Sequence, residues 1–384
     1  MKIATKRWRF TPVLVIIAML VAALAGCMPK GAVTNPGWTV VAATDEVVYA
    51  VLATGKVVAL NAKDGRELWG YPKTAETKGG LLGGCSASSN ADTPLDAVYG
   101  SPALTDNLVL VASYNHHLYA FDRSSGSKVG DDFVAGGAII GGVVVRDGIA
   151  YFGSSDHNVY AVNIATRKLV WEKPFTTGHW VWGTPAVDEK RVYVGSMDHY
   201  VYAINRQTGE EVWKKRVGGA VPGSVTLADG ILLVGGVDKY LYAFRAEDGE
   251  LLWPNPSFLG HWVWGEALAR DGYIYVGSLD GKVHALRLAD GSPRWEPVAL
   301  DGAIRAGPAW LDGNLIVGAE SGSIYTINAE TGDSKVLFKA QGAILSTPAV
   351  VGTKIYAGTT AGNVYALDAS NTGDPLLWVY PSKK

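Results

Sequence analysis

One short segment recurs along this chain, and its spacing restricts the fold more than any other feature. Val201-Tyr202-Ala203-Ile204-Asn205 returns as Val159-Tyr160-Ala161-Val162-Asn163, as Leu241-Tyr242-Ala243-Phe244 and as Val364-Tyr365-Ala366-Leu367-Asp368. Anchored on the tyrosine, the units fall at Val58, Tyr119, Tyr160, Tyr202, Tyr242, His284, Tyr325 and Tyr365. Six of the seven steps are 40 to 42 residues long and the first is 61. A fixed period in this range marks a stack of equal supersecondary units. Within unit four, residues 183 to 187, 191 to 196, 200 to 205 and 210 to 214 read as strands. Asp188-Glu189, Asp198-His199 and Thr208-Gly209 supply the turns, because Asp, Asn and Gly tolerate positive φ. Four antiparallel strands leave two apolar faces wet unless neighbours cover them, and a closed ring of units removes the open ends. The expected fold is therefore all-β, an eight-bladed β-propeller of four-stranded antiparallel blades over residues 36–380. An insertion lies at about 73–95 and a short tail at 381–384.

The N-terminus has a different logic. Lys2, Lys6, Arg7 and Arg9 precede an uncharged apolar run from Val13 to Leu24, the order of a secretory signal and too short to span a bilayer as a mature helix. The run ends in Leu24-Ala25-Gly26-Cys27, which resembles a bacterial lipobox. That resemblance implies cleavage after residue 26, lipid on Cys27 and a tether over 27–35. The expected location is outside the cytoplasm, on the outer-membrane or periplasmic side or at the cell surface. Losing four positive charges and no acid takes the net charge from −2 to −6, which argues against nucleic acid as a partner. Cys85 is then the one cysteine besides Cys27, so no intramolecular disulfide forms in the mature chain and packing must hold it together. Cys85 sits among Gly, Ser and Ala, with none of the electropositive setting that a reactive thiol needs.

A tryptophan recurs near the start of the fourth strand, at Trp69, Trp171, Trp213, Trp253, Trp295 and Trp378, where a large flat ring can fill the gap between blades. In Tyr202-Ala203-Ile204-Asn205-Arg206-Gln207-Thr208-Gly209-Glu210-Glu211-Val212-Trp213 a glycine stands four residues before it. Units one, four, five and six keep both residues. Unit three has Arg167 for the glycine, units two and seven have Gly130 and Val336 for the tryptophan, and unit eight shifts by one residue. This pattern resembles the repeat of the pyrroloquinoline-quinone (PQQ) propeller superfamily. Within it the length, lipobox and blade number are most similar to the BamB-type lipoproteins, scaffold subunits of outer-membrane β-barrel assembly. The resemblance implies a protein-binding scaffold, monomeric within a complex of envelope proteins, with no cofactor and no enzymatic role. The quinoprotein dehydrogenases of the superfamily carry adjacent cysteines and longer loops, which this chain lacks. The alternative is a small-molecule or PQQ-binding propeller. GxGxxG, Walker A, HExxH and GxSxG are all missing from the sequence.

Eleven residues before the centre of each second strand stand Trp38, Tyr99, Ile140, Trp182, Pro222, Trp264, Arg305 and Leu345. In a radial sheet, side chains point at neighbouring blades, so Trp182 and Trp264 are expected to pack between blades. Units four and six share Gly-His-Trp-Val-Trp-Gly, at 178–183 and 260–265. His179, Trp180, His261 and Trp262 replace the Gly-Ala found in units three, five, seven and eight, and with Arg305 they form the candidate binding face. His116, His157 and His199 occupy equivalent hairpin tips, where turn propensity explains them better than a metal site does. Because the chain reverses at every turn, strand entries and second hairpin tips must share one face. The insertion, the His-Trp entries and the histidine tips are thus expected together, opposite short turns such as Asp229-Gly230, Asp271-Gly272 and Asp312-Gly313.

Overall fold

The computed structural model describes residues 37–73, 93–371 and 373–382. Cys27, Cys85, the leader, the tether and most of the 73–95 insertion lie outside the described residues. The fold is an eight-bladed β-propeller in which every blade runs from the inner to the outer strand in chain order. Blade four consists of Ala186–Val187, Arg191–Gly195, Tyr200–Asn205 and Glu211–Arg216. Its inner strand is shorter than the sequence suggests. Blades one and eight are each complete, Val40–Ala43 to Glu67–Tyr71 and Ala349–Val351 to Leu376–Tyr380, so the ring closes without exchanging a strand. Blade three splits its outer strand into Lys168–Leu169 and Phe175–Thr176, both paired with Asn158–Asn163, and Pro174, which cannot donate to the ladder, lies in the break.

The core is a set of layers between blades rather than one central mass. Each of eight apolar clusters draws residues from two adjoining blades, the last joining Tyr356, Val364 and Trp378 of blade eight to Val48, Val58 and Leu60 of blade one. The alternating second and third strands are buried on both faces, as stacking requires.

The Gly and Trp of the repeat act across this seam. Trp213 donates its indole N–H to the carbonyl of Ala246 in blade five at 3.1 Å, and a Cβ on Gly249 would come within 2.8 Å of the same ring. Trp69, Trp171, Trp253, Trp295 and Trp378 donate likewise to Arg123, Arg206, Leu288, Ala329 and Ala62 of the next blade. Each glycine therefore serves the tryptophan of the blade before it, not that of its own. This explains the irregular units, since the blade after a missing tryptophan also loses its glycine. Blade two has Gly130 in place of Trp, and Arg167 of blade three reaches back to donate to the carbonyl of Val129 at 3.1 Å. Blade seven has Val336, and a Cβ on the displaced Gly373 of blade eight would meet nothing closer than 4.0 Å.

Candidate functional site

Entries and hairpin tips share one face, as the strand parity requires. The backbone N–H of Met197, at the tip of blade four, donates to the carbonyl of Trp180 at 2.9 Å, and Leu279 does the same to Trp262 at 3.1 Å in blade six. Leu95, the described end of the insertion, donates to Gly55 at the tip of blade one at 3.0 Å, so the insertion rejoins the body on this side. On the opposite face Asp229-Gly230, Asp271-Gly272 and Asp312-Gly313 all have both φ angles positive, the requirement of a two-residue type I′ turn.

The two His-Trp entries are built alike at their first step. His179 Nδ1 accepts the backbone N–H of Trp180 at 2.8 Å, and His261 Nδ1 accepts that of Trp262 at 2.8 Å. The neutral form of each ring therefore carries its proton on Nε2, facing away from the backbone. In blade four the His179 ring stacks on His157, the tip of blade three, with centroids 5.2 Å apart, and Trp180 stacks on Trp182 at 5.0 Å. His116, His157 and His199 all have φ near +75°, in keeping with their place in tight turns. Among the described residues no group of three His, Cys, Asp or Glu is arranged to hold a metal ion.

The eight positions that begin with Trp38 are not confined to the seams between blades, although Trp38 does pack against the apolar cluster shared by blades one and two. All of them, Trp182 and Trp264 included, line the central channel, which encloses about 290 Å³. The chain enters each inner strand near the axis, and the residues just before the strand border the channel. Trp182 donates its indole N–H to Ser155 Oγ at 3.1 Å, and Trp38 to the carbonyl of Tyr99 at 2.9 Å, so the rings are fixed around the mouth. Arg305 also faces the channel, but its charge is already matched. Its guanidinium pairs with Glu320 and lies 5.6 Å from the centre of the Trp264 ring.

Trp180 and Trp262 remain 37% and 42% exposed, and they have company that the sequence did not single out. Phe258 is 61% exposed, Val134 56%, and Tyr240 and Tyr114 are also exposed. Phe258 pairs with Tyr240 in the strand register, and their rings are 5.4 Å apart, at the end of blade five that leads into Gly260-His261-Trp262. The other large exposed apolar side chains follow the outer edges of the blades, Leu68, Val212 and Leu377 among them beside inter-blade tryptophans. None belongs to the Asp-Gly turns. A signal for Phe258 was present in the sequence, as an aromatic three residues before a His-Trp entry.

Comparison with known proteins follows the same lines. The family model described as "Outer membrane protein assembly factor BamB" matches residues 28–173, 155–301 and 297–382. The chain belongs to this family. No curated protein matches it. Among solved structures it is similar to BamB from Moraxella catarrhalis, with a TM-score of 0.67 and 17% identity over 86% of this chain and 98% of that one. It is also similar to the computationally designed Ika8 protein, with a TM-score of 0.71 and 17% identity over 88% of this chain and 97% of that one. At such identity the two structures show the fold. The BamB family is a family of PQQ-like repeat propellers, and the paired Gly and Trp described above are that repeat seen in three dimensions.

Proposed function

We propose that this BamB-family propeller is a non-enzymatic, protein-binding scaffold of the cell envelope, carried by lipid on Cys27, with outer-membrane protein assembly as its setting. The observation that carries the reading is the asymmetry of its two faces. Exposed aromatics stand on the His-Trp side, Trp180 and Trp262 at the strand entries and Phe258 with Tyr240 at the outer edge of blade five, and the Asp-Gly side presents short polar turns. Large apolar side chains on rigid elements, rimmed by polar groups, are what partner proteins bury, and aromatic residues dominate the energy of such contacts. Trp180 and Trp262 are the expected anchors, with Phe258 and Tyr240 beside them. Arg305 lies at the same mouth, but its pairing with Glu320 leaves it a smaller share than the tryptophans.

The test compares two paired variants by pull-down of envelope proteins from solubilised membranes. Trp180→Ala with Trp262→Ala should weaken capture at least tenfold, as loss of hot-spot side chains does. Asp229→Asn with Asp312→Asn, on the other face, should leave it unchanged. Equal loss from both pairs, at matched melting temperature, overturns the assignment. In the same preparation Cys27→Ser should move the chain out of the membrane fraction, because acyl chains hold it there by about 0.8 kcal/mol per buried CH₂; a variant that stays with the membranes overturns the anchor.

A further inference from the structure

Two residues beyond the ring position, along the inner strands, lies a second ring deeper in the channel. Ser101, Gly142, Thr184, Ser224, Gly307 and Thr347 stand there, and three of their hydroxyls tie neighbouring blades together. Thr184 Oγ1 accepts the N–H of Gly142 at 2.8 Å, Ser224 Oγ that of Thr184 at 3.1 Å, and Thr347 Oγ1 that of Gly307 at 3.0 Å. Blade six breaks the series with Glu266. Its side chain lies across Gly307, where a Cβ would come within 2.6 Å of Glu266 Cγ. Channel water reaches this carboxylate, yet inner strands crowd it from several sides, and desolvation pushes its pKa above the ordinary glutamate value. No hydrogen bond or ion pair from a described residue reaches it. Arg305, the one cation among the described residues that line the channel, is paired with Glu320. Among the described residues the channel lining therefore holds one carboxylate, exposed to channel water and without a paired cation.

We propose that the central channel is a receptor for an alkylammonium group, with the cation at Glu266 and its carbon stem between Trp182 and Trp264. Depth, lining and charge all agree with this. From the ring position to Glu266 is two residues of strand, about 6.5 Å, which a four-carbon stem can cover. The stem would pass indole rings and the aliphatic side chains of Ile140 and Leu345. Indole faces attract cations, and Trp264 already lies under a guanidinium. A divalent metal would need more ligands than one carboxylate, and no three-residue group of metal-binding side chains occurs among the described residues. The ammonium can come from a free amine or from a lysine of a docked protein. The chemistry is shared, and the inference does not depend on the docking of a partner.

The experiment titrates the full-length chain in detergent with n-butylammonium, a hexapeptide containing one lysine, the same peptide with acetyl-lysine, and calcium, following tryptophan fluorescence. Butylammonium or the lysine peptide should saturate the signal, and Glu266→Gln should weaken binding at least tenfold. The melting temperature of the wild-type chain should rise with butylammonium and not with butanol, a measurement that needs no variant. Tighter binding of the lysine peptide than of butylammonium identifies a partner side chain as the source; equal or weaker binding identifies a free amine. The proposal is overturned by unchanged affinity in E266Q, by equal binding of the acetyl-lysine peptide, by saturation with calcium alone, or by no saturation with any cation. None of these results touches the pull-down test of Trp180 and Trp262, which measures a protein partner.

Discussion

Blades four and six carry the same six residues, Gly-His-Trp-Val-Trp-Gly, at the same point of the fold, and the two copies end in different surroundings. In blade four the preceding tip supplies His157, on which His179 stacks, and Trp180 lies flat on Trp182. In blade six the preceding tip is Lys239, Trp262 makes its ring contact with His261 alone, and Trp264 is covered by Arg305 from blade seven. The backbones differ too. Tyr202 donates its hydroxyl to Asp198 at 2.6 Å, and Asp198 accepts the N–H of Gly178 at 2.7 Å, which fixes the start of the entry. Blade six has His284 in place of that tyrosine, and Gly260 adopts a φ of +83°. Residues that are identical in sequence thus present a stacked aromatic wall in one blade and a freer indole in the other. The neighbouring blades decide which.

Four substitutions test this contrast. The largest effect is expected at the inter-blade tryptophans. Trp213 of blade four is buried, and Trp213→Ala should cost about 3–5 kcal/mol, because it empties the seam against Gly249 and removes one of the two donors to the Ala246 carbonyl, leaving the Tyr193 hydroxyl. Trp295 of blade six is only partly buried, and its replacement by Ala should cost roughly half as much. Denaturant unfolding of the two variants measures the difference, and equal losses would show that the seams are equivalent.

A smaller effect is expected at His284, which is buried with its Nε2 unpartnered and its pKa lowered by desolvation. The folded chain favours the neutral ring, whereas the unfolded chain takes up a proton below the ordinary histidine value of about 6.5. This group therefore leaves stability intact above that pH and erodes it as the pH falls further. His284→Tyr should add about 1 kcal/mol by restoring a hydrogen bond to Asp280, and should flatten the decline in melting temperature between pH 7 and 5. A slope unchanged in the variant would assign it to other groups.

The smallest change in stability is expected at Arg305. Its pair with Glu320 is half-exposed, so Arg305→Ala should alter stability by less than about 1 kcal/mol, while the emission of the uncovered Trp264 shifts to the red. A larger loss would mean that the channel mouth of blade six is braced by this pair.

Much of the architecture was legible because it repeats. Eight units of one period, with alternating apolar residues and Asp-Gly turns, specify four-stranded blades and, through their wet faces, a closed ring. The parity of antiparallel strands then sorted entries and tips onto one face without any coordinates. The tryptophans were readable as wedges for the same reason. Their glycine partners were not, because each pair spans two blades and the sequence lists them four residues apart in the same unit.

The site was less legible. His179, Trp180, His261 and Trp262 stood out as large residues where other units have Gly-Ala, but Phe258, Tyr240 and Glu266 did not, although the column two residues past Trp264 is otherwise rich in Ser, Thr and Gly. Trp182 and Trp264 read as inter-blade residues because a period of two places a side chain on one side of a sheet or the other. That rule holds within a strand, whereas these two residues stand before their inner strands, Ala186–Val187 and Leu268–Arg270, where they border the channel. The unit, the count and the sidedness are local and periodic properties, and the order of residues is enough to read them. What each exceptional residue faces is a different matter, because it depends on the neighbouring blade, about forty residues away in the chain and in contact only once the ring is closed.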